Sequence, residues 1–556
     1  MAQPIPITAP TTRSADNSRH IVLKHAANEL VFAVVGHIGA GTSLVAANLQ
    51  NLLKNKRIEG KQFEVHIVKA RTLLTKWAAT SGEAIPEPPA GVRPDIKYTS
   101  LLQDVGDNLR RSTNDNAAVA RLAIQKIREI RAERIGHDAI EAEKTGKAVI
   151  PDGNPRAYII DSIRNPTEVE LLRHVYQEAF VLIGVVCESD RRLNRLSKKF
   201  RDGGVEAASE IMQRDSRAPE KFGQRVLDAF HMSDFFVDNT EDEKLSDDDT
   251  KSNPHWDVPD RLSRLLKIVL HEEVTRPTVD ETAMYHAHIA AMRSACLSRQ
   301  VGAALVDRHG EIVATGTNEV PRAGGGVYGE KFGKEEEDHR CAYQTHGGRP
   351  FCSNTVEQNR IVDDLIADID ELKSVAAERK EKIRQLFLKG RIGDLLEFSR
   401  AVHAEMDAII SATRQGVNTI GTRMYVTTFP CHYCARHIVA AGIDEVQFIE
   451  PYVKSQALQL HSDSIQTRWV GWIPPSLASA ADKSTGKMPK VLFRPFSGIA
   501  PRMYRRAFFK DRELKDGATG TLKFSEPDWG VPWHLRSASY VQLEAALSTP
   551  PEVEKK

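Results

Sequence analysis

Two neighbouring stretches decide the interpretation of the C-terminal half: "AVHAEMDAII", residues 401–410, and "MYVTTFPCHYCARHIVAAGI", residues 424–443. The second combines a strand-like run with Pro430 and with two cysteines three positions apart, Cys431 and Cys434. Proline is well suited to open a helix, so both thiols are predicted at a helix N-terminus. The helix dipole there favours the thiolate form that a metal ion requires.

The first stretch supplies the remaining groups of a catalytic zinc site. Such a site takes three His or Cys ligands, keeps one position for water, and needs a base to manage the protons of that water. His403 is predicted as the third ligand of one catalytic zinc beside Cys431 and Cys434, with Glu405 as the catalytic acid and base. The order H-x-E followed by P-C-x-x-C is typical of zinc nucleobase deaminases. The alternative for the two cysteines alone is a structural zinc or a redox pair.

These stretches and "AMRSACLSRQVGAALVDRHGEIVATGTNEVP", residues 291–321, resemble the deoxycytidylate deaminase group of the cytidine deaminase fold. The resemblance covers roughly residues 280 to 450. It implies a mixed sheet flanked by helices, a deoxycytidine nucleotide substrate (dCMP or dCTP), zinc, and assembly into homo-oligomers. The family pattern N-G-x-P is kept at Asn318 and Pro321, although Glu319 replaces the glycine. Asn318 is therefore predicted to bind the substrate sugar, and its alternative role is a turn residue bonded to its own backbone.

An insert at about residues 330–400 interrupts this resemblance. Residues 355–389 are charged and amphipathic, which predicts one helix packed on its own domain or on another subunit. The apolar side of that helix would carry Ile361, Leu365, Ile369 and Leu372. Four further side chains in the insert could bind metal: His339, Cys341, His346 and Cys352. A second, structural zinc at these four residues is one reading, and a chance grouping of Cys and His in a loop is the other.

The N-terminal half opens with "ELVFAVVGHIGAGTSLVAANLQ", residues 29–50, which reads as strand, glycine loop and helix. In a Walker A loop the backbone amides hold phosphates, a Lys reaches the terminal phosphates, and Ser or Thr holds magnesium. The candidate nucleotide-binding residues of this loop are Gly36, Gly39, Gly41, Thr42 and Ser43. Thr42 stands where the Lys belongs, so a tight turn without a ligand is the alternative interpretation.

Two further stretches resemble P-loop nucleotide kinases: "AYIIDSIRNPTEVELLR", residues 157–173, with Asp161 at a strand end, and "ESDRRLNRLSKKFRD", residues 188–202, with the pattern of a lid. This resemblance spans roughly residues 28 to 270. Because Thr42 removes a charge that phosphoryl transfer uses, we expect this domain to bind a regulatory nucleotide with Mg²⁺ rather than to transfer phosphate. The fusion as a whole resembles bacterial anti-phage deoxycytidine nucleotide deaminases, which implies depletion of dCTP and control by an inhibitor or a nucleotide.

The predicted fold class is α/β, with a parallel-sheet, P-loop kinase-like domain followed by an α/β/α deaminase domain. The expected divisions are a mobile tail at 1–25, the first domain at 26–275, the second at 276–475 and an extension at 476–556. With 556 residues, 41% hydrophobic and 27% charged, the chain is large enough for two cores and reads as a globular protein. Its apolar runs are too short for a membrane span, so a cytoplasmic protein without a membrane partner is expected.

The alternative functions differ from deamination of a free nucleotide either in the substrate or in the role of the N-terminal domain. A polynucleotide deaminase should present a basic groove lined by aromatic side chains, whereas the net charge here is +1 and aromatic residues make up 6%. These values favour a free nucleotide. A bifunctional kinase and deaminase would require phosphate chemistry at a loop that has Thr42 in place of Lys. A scaffold role for the N-terminal domain is the non-enzymatic alternative.

Overall fold

The computed structural model describes residues 27–58, 60–82, 85, 95–136, 149–200, 204–216, 222–244, 252–329, 338–452, 454–479, 489–510 and 515–521. The expected tail at 1–25 and the extension beyond residue 521 lie outside the described residues. No helix within the described residues combines the length and the apolar character that a membrane crossing requires.

The strands, in chain order, are β1 (Glu29–Val35), β2 (Arg57–Ile58), β3 (Lys61–Gln62), β4 (Glu64–Lys69), β5 (Arg156–Ile163), β6 (Phe180–Val186), β7 (Phe235–Asp238), β8 (Gly302–Val306), β9 (Ile312–Thr317), β10 (Arg423–Thr428), β11 (Glu445–Glu450), β12 (Ile465–Gln466), β13 (Val491–Pro495) and β14 (Gly498–Ile499). The helices of the N-terminal half are α1 (Thr42–Lys54), α2 (Ala70–Thr80), α3 (Ile96–Ser112), α4 (Ala118–Arg134), α5 (Pro166–Tyr176), α6 (Ser189–Lys199), α7 (Val205–Ser216), α8 (Val226–Phe230) and α9 (Val258–Val269). Those of the C-terminal half are α10 (Val279–Met292), α11 (Ser353–Asp368), α12 (Asp370–Lys373), α13 (Ala377–Lys389), α14 (Ala404–Arg414), α15 (His432–Ala440), α16 (Ala457–Leu460) and α17 (Pro501–Phe508). Short 3-10 turns lie at Gln177–Ala179, Arg391–Asp394 and Pro475–Leu477.

The N-terminal half is built on a sheet with the order β14-β7-β6-β1-β5-β4 in the described residues, in which all strands but the edge strand β14 run parallel. β1, β5 and β6 are buried along their whole length, because helices cover both faces of the sheet. The continuous apolar runs of these strands reflect this burial. β1 lies between β5 and β6, and α1 follows its carboxyl end through the glycine loop. The predicted parallel α/β class of this half is confirmed.

The C-terminal half has a second, mixed sheet with the order β12-β13-β11-β10-β8-β9. The predicted hairpin is present, since β8 and β9 pair antiparallel around a turn closed by Asp307 N–H donating to the Glu311 carbonyl at 3.0 Å. β10, β11 and β13 run parallel. Side chains alternate across the strands, so that α14 and α15 pack on one face and α10 on the other. The mixed sheet with flanking helices is the fold class expected for this half.

The insert differs from the single helix predicted over 355–389, and that prediction is wrong. α11 ends at Asp368, and Ile369 adopts an extended conformation that breaks the helix. α13 then folds back along α11, where Arg384 Nε donates to Asp363 Oδ1 at 2.7 Å and Arg384 Nη2 donates to Asn359 Oδ1 at 2.5 Å. The apolar residues keep a helical spacing through the turn. The sequence pattern alone therefore does not show where the chain reverses direction.

The two halves share one core at their junction. β13 belongs to the second sheet, whereas β14 pairs antiparallel with β7 of the first sheet. Between them Phe496 is 1% exposed and meets Phe236 edge-on, with 6.3 Å between ring centroids. Ile499 N–H donates to the buried carboxylate of Glu281 at 2.8 Å. Residues 491–499 therefore connect the two sheets.

Candidate metal centre and active-site cavity

Three potential metal ligands come together where α14 and α15 begin. His403 occupies the N-cap position of α14, and Cys431 occupies that of α15. His403 Nδ1 lies 3.3 Å from Cys431 Sγ and 3.4 Å from Cys434 Sγ. Pro430 lies just before the N-cap rather than in the first helical turn, but both thiols are at the helix N-terminus as predicted.

This donor set fits zinc. One imidazole and two thiols are a known ligand combination of catalytic zinc sites that keep one position open. Atoms bound at about 2.1 Å and about 2.3 Å to a tetrahedral zinc lie about 3.6 Å apart, close to the distances observed here. Within the described residues, His403, Cys431 and Cys434 are the one group of three or more His, Cys, Asp or Glu side chains placed to share a metal ion.

The helix N-terminus prepares the thiols for a cation. The Cys434 backbone N–H donates to Cys431 Sγ at 3.5 Å. The hydrogen bond from the Cys434 thiol lowers the pKa of Cys431 to about 4 against the opposing effect of burial, with a further contribution from His403. Cys431 is thus the thiol that ionises more readily, and thiolate is the form that binds metal.

Glu405 lies in the first turn of α14, two residues after His403, and its side chain is 4% exposed. Burial raises the pKa of Glu405 to about 7, although the neighbouring His403 opposes the rise. A carboxyl group with a pKa near the working pH can both accept and donate a proton. Glu405 and His403 both line the same cavity. Glu405 therefore has the burial and the pKa that a proton shuttle beside the candidate metal ligands would need.

The position of α14 depends on close packing against β9. Gly316 faces the start of α14, and a β-carbon there would lie 2.1 Å from the Ala404 carbonyl oxygen and 2.3 Å from the Ala408 nitrogen. Only glycine permits this approach. One residue later, Thr317 N–H donates to the buried Asp407 carboxylate at 3.0 Å. These two contacts fix the first turn of α14 against the strand end that carries Asn318.

The cavity above the metal ligands has a volume of about 160 Å³, and Asn318 forms part of its wall. Asn318 Nδ2 donates to the Arg299 carbonyl at 2.9 Å, and the Asn318 carbonyl accepts from Ser294 Oγ at 2.6 Å. Its Oδ1 atom is buried and has no hydrogen-bond partner among the described residues. A buried acceptor without a partner is costly, so this oxygen is available to a bound ligand.

Glu319, which stands where the resembling family has glycine, is a structural connector. Its carboxylate accepts from Ala295 N–H at 2.7 Å and is 1% exposed. The Glu319 backbone pairs with Val402, just before the candidate ligand His403, at 3.0 and 3.2 Å. Arg340 of the insert lies 3.7 Å from the Glu319 carboxylate. The substitution therefore ties the Asn318 loop to the insert.

The four His and Cys side chains of the insert do not form a second metal-binding group in the structure. Cys341 Sγ lies 3.9 Å from Ser353 Oγ, whereas Cys352 Sγ lies 3.1 Å from Ser298 Oγ. His346 packs against Phe351, with 5.4 Å between ring centroids, and His339 is directed toward Gln344. The four side chains are close in sequence, but the fold does not bring their donor atoms together. The predicted second zinc site is therefore not supported. Cys341 and Cys352 instead line the cavity.

Sequence reasoning missed several residues of the cavity wall, notably Arg299, Arg400 and Tyr452. Arg299 pairs with Glu450 at 3.2 Å and lies 5.7 Å from the Tyr452 ring centroid. Arg400 Nη1 donates to the His339 carbonyl at 2.7 Å. Arg400 comes three residues before His403 and Arg299 three residues before β8, so proximity to a motif was the available signal.

The glycine loop after β1 has the conformation expected of its sequence. Gly39 and Gly41 have φ of 84° and 88°, which favours glycine, and α1 begins at Thr42. Ser43 Oγ donates to Asp161 Oδ2 at 2.6 Å, so two candidate nucleotide-binding residues meet. The loop also carries Gly36, whose carbonyl accepts from Arg164 at 3.3 Å.

A buried carboxylate occupies part of the space beside this loop. Asp215 accepts from Ile38 N–H at 2.8 Å and from Arg164 at 2.5 Å, and its side chain is 1% exposed. Burial raises the pKa of Asp215, although Arg164 opposes the rise. One loop amide that could bind phosphate is therefore already hydrogen-bonded to an acidic side chain.

Comparison with known proteins supports the assignment of the C-terminal half. Residues 277–450 match the cytidine and deoxycytidylate deaminase zinc-binding region. The deoxycytidylate deaminase of Enterobacteria phage T2 is 28% identical over 180 residues, which is 32% of this chain and 81% of that protein. That of phage T4 is 28% identical over 180 residues, which is 32% of this chain and 79% of that protein.

A solved structure, the apo dCMP deaminase of cyanophage S-TIM5, covers 40% of this chain and 100% of its own at 16% identity. The TM-score of the two structures is 0.20. The family match and the geometry of His403, Cys431 and Cys434 agree on the same region of the chain. The C-terminal half therefore carries a hydrolytic deaminase domain of the zinc-binding type.

Proposed function

We propose that this chain catalyses zinc-dependent hydrolytic deamination of deoxycytidine nucleotides, dCMP or dCTP, to the corresponding deoxyuridine nucleotides. The observation that carries the proposal is the convergence of His403, Cys431 and Cys434, beside a cavity whose wall includes His403, Cys431 and the buried Glu405. The similarity of the chain to phage deoxycytidylate deaminases supports the choice of substrate class.

The residues would divide the chemistry as follows. When bound at His403, Cys431 and Cys434, zinc would supply Lewis-acid activation of a water molecule for attack on C4 of cytosine. Glu405 would transfer the two protons of that water in turn, the first to N3 of the ring and the second to the amino group that leaves as ammonia. Its pKa of about 7 suits both directions of transfer at neutral pH. Burial of Glu405 would also exclude competing proton donors from the reacting atoms.

Two features of the wall favour a nucleotide as the substrate. The Oδ1 atom of Asn318 is buried without a partner among the described residues and could accept from a sugar hydroxyl. Arg299 and Arg400 both line the cavity. Guanidinium groups bind phosphate through paired hydrogen bonds, so these arginines would recognise the phosphate of dCMP or dCTP.

A substrate panel tests this proposal. Purified protein should be assayed for uracil products with dCMP, dCTP, deoxycytidine, and cytosine-containing single-stranded DNA and RNA. The proposal expects turnover of the free nucleotides, and much weaker activity on deoxycytidine and on polynucleotides. Preferential deamination of an oligonucleotide would instead favour a polynucleotide deaminase.

For the N-terminal domain we propose binding of a regulatory nucleotide with Mg²⁺ rather than phosphoryl transfer. The hydrogen bond between Ser43 and Asp161 supports this, because in phosphate-binding loops these residue types hold magnesium. Thr42 offers no charge to stabilise a transferred phosphoryl group. The deamination rate should then change with an added non-substrate nucleotide, and Ser43→Ala should reduce that response. Robust phosphate transfer from ATP would favour a bifunctional enzyme.

The cellular role that we propose is depletion of dCTP in the cytoplasm in defence against phage, by a homo-oligomer held inactive in healthy cells by an inhibitor or a nucleotide. The support is the pairing of a deaminase domain with an N-terminal α/β domain able to bias it through a shared core. Cells expressing the native chain should lose dCTP and resist phage infection, whereas cells expressing Glu405→Ala should do neither. Protection by the inactive variant would contradict the role.

A further inference from the structure

A second cavity, of about 610 Å³, lies between the first sheet and α17. Phe180, which begins β6, and Asp234, which precedes β7, form part of its wall. The cavity is therefore at the amino edge of the parallel strands, whereas the glycine loop follows the carboxyl end of β1. It shares no lining residue with the cavity of the metal ligands. It is a separate site.

The lining of this cavity is strongly basic. Four arginines contribute to it: Arg173, Arg502, Arg505 and Arg506. The carboxylates in the same wall are Glu178 and Asp234, so four guanidinium groups face two acidic groups, an excess of two positive charges. Like charges held in a concave surface raise the local concentration of anions.

Two of the arginines are fixed in place by the protein. Arg173 Nη2 donates to the Met232 carbonyl at 2.6 Å and lies 3.0 Å from Asp234 Oδ1. Its Nε atom is buried without a hydrogen-bond partner among the described residues. Arg506 Nε lies 3.4 Å from Glu178. Burial lowers the pKa of Arg506, although the nearby carboxylates of Glu178 and Asp234 oppose this effect. The protein therefore neutralises the positive charge of Arg506 only in part.

The other two arginines are open to a ligand. Arg502 and Arg505 are exposed, and neither forms an ion pair within the part of the chain that the structure describes. The guanidinium carbon of Arg505 lies 5.5 Å from the ring centroid of Phe509, which is itself 62% exposed at the edge of the cavity. Two anchored and two exposed arginines thus line one cavity, which Phe509 also lines.

We propose that this cavity binds a phosphate-bearing anion of the nucleotide or polyphosphate class, held by Arg173, Arg502, Arg505 and Arg506. Planar guanidinium groups match phosphate oxygens with paired hydrogen bonds. The volume lies within the range of small-molecule sites. A nucleotide could also place its base against Phe509, whereas an inorganic polyphosphate would use the arginines alone.

Such an anion would connect the two halves of the chain. Arg173 belongs to α5 of the N-terminal half, whereas Arg502, Arg505 and Arg506 belong to α17. α17 in turn packs on α10 of the deaminase half through the stacked rings of Tyr504 and Tyr285, whose centroids are 4.1 Å apart. Binding should therefore stabilise the junction and raise the unfolding temperature of the native chain.

Calorimetric titration of the full-length protein with tripolyphosphate and with ATP tests the proposal. The Arg502→Ala/Arg505→Ala double variant should bind tripolyphosphate about tenfold to a hundredfold more weakly than the native chain, since each charged hydrogen bond contributes roughly one factor of ten. The matched control is Arg379→Ala/Lys382→Ala on exposed α13, which removes the same charge and should bind as the native chain does. Ser43→Ala should also retain the binding of tripolyphosphate, which separates the site from the glycine loop.

Tighter binding of ATP than of tripolyphosphate, lost in the arginine variant, would identify a nucleotide, and equal binding would identify a polyphosphate. Absence of binding at millimolar concentrations would overturn the proposal. So would equal affinity of the arginine variant and the native chain for tripolyphosphate, or a loss of tripolyphosphate binding that follows Ser43→Ala instead. Arg505→Gln provides the same comparison if the double variant does not fold. Since no cytosine substrate is involved, this outcome is independent of whether the chain deaminates deoxycytidine nucleotides.

Discussion

Gly316 of β9 lies so close to Ala404 of α14 that a β-carbon at residue 316 would be 2.1 Å from the Ala404 carbonyl oxygen. Ala404 separates the metal-ligand candidate His403 from Glu405. The contact between a strand glycine and a helix backbone therefore sets the position of both groups relative to Asn318, two residues beyond Gly316. Packing and chemistry at this site are inseparable.

Gly316→Ala should reduce both stability and deamination, because the backbone of α14 cannot yield as a flexible side chain could. We expect a loss of about 1–3 kcal/mol in the free energy of unfolding, measured by denaturant titration. Gly204→Ala is the matched control, since a β-carbon there would meet nothing within 4 Å. If Gly316→Ala kept native stability and activity, the packing account of the site would be wrong.

Replacing a thiol of the metal centre should release zinc. Cys434→Ala leaves two ligands, and a site with three protein ligands has none to spare, so metal content should fall from about one zinc per chain toward zero. Cys341→Ala and Cys352→Ala serve as controls and should keep their zinc, because these residues do not belong to the metal-binding group. Metal analysis of the purified variants decides both points. Zinc retained by Cys434→Ala would mean that the ligands are misassigned.

Asn318→Ala should lower kcat/KM without loss of zinc. Removal of the free Oδ1 acceptor should lower kcat/KM for dCMP or dCTP by about tenfold to a hundredfold, the usual effect of one buried hydrogen bond. Steady-state kinetics with metal analysis measure this effect. Unchanged kcat/KM would leave Asn318 as a turn residue.

Arg400→Ala should reduce the preference of the enzyme for nucleotides over nucleosides and leave the deamination step itself unchanged. If Arg400 recognises phosphate, kcat/KM should fall for the nucleotide and stay the same for deoxycytidine, because the nucleoside has no phosphate to lose contact with. Arg360→Ala, on the exposed surface of α11, is the charge-matched control. An equal loss on nucleotide and nucleoside would indicate a structural role, through the hydrogen bond to the His339 carbonyl.

Local patterns were enough to predict the parallel sheet, the β8–β9 hairpin and the grouping of His403, Cys431 and Cys434. Each depends on spacing within one or two elements, such as a helix N-terminus that presents two thiols. For Arg299 and Arg400, proximity to a motif was the only sequence signal, and the hydrogen bond from Arg400 to the His339 carbonyl was not predictable, because it joins residues 61 positions apart. The break at Ile369 was missed for a related reason, since the apolar period continues through the turn. Likewise, sequence spacing at Cys341 and Cys352 could not reveal that their side chains turn toward different serines.

The central claim is most directly tested by mass spectrometry of the products that zinc-loaded protein forms from dCMP and dCTP, compared with Glu405→Gln. The account predicts dUMP or dUTP from the native protein. It predicts a loss of at least about a hundredfold in the variant, because general acid and base catalysis contributes about 10²–10⁴-fold. The variant should still hold about one zinc per chain, and Glu311→Gln, at an exposed turn, should behave as the native protein does. Near-native product formation by zinc-loaded Glu405→Gln, or no deoxyuridine nucleotide from the zinc-loaded native protein, would contradict the account.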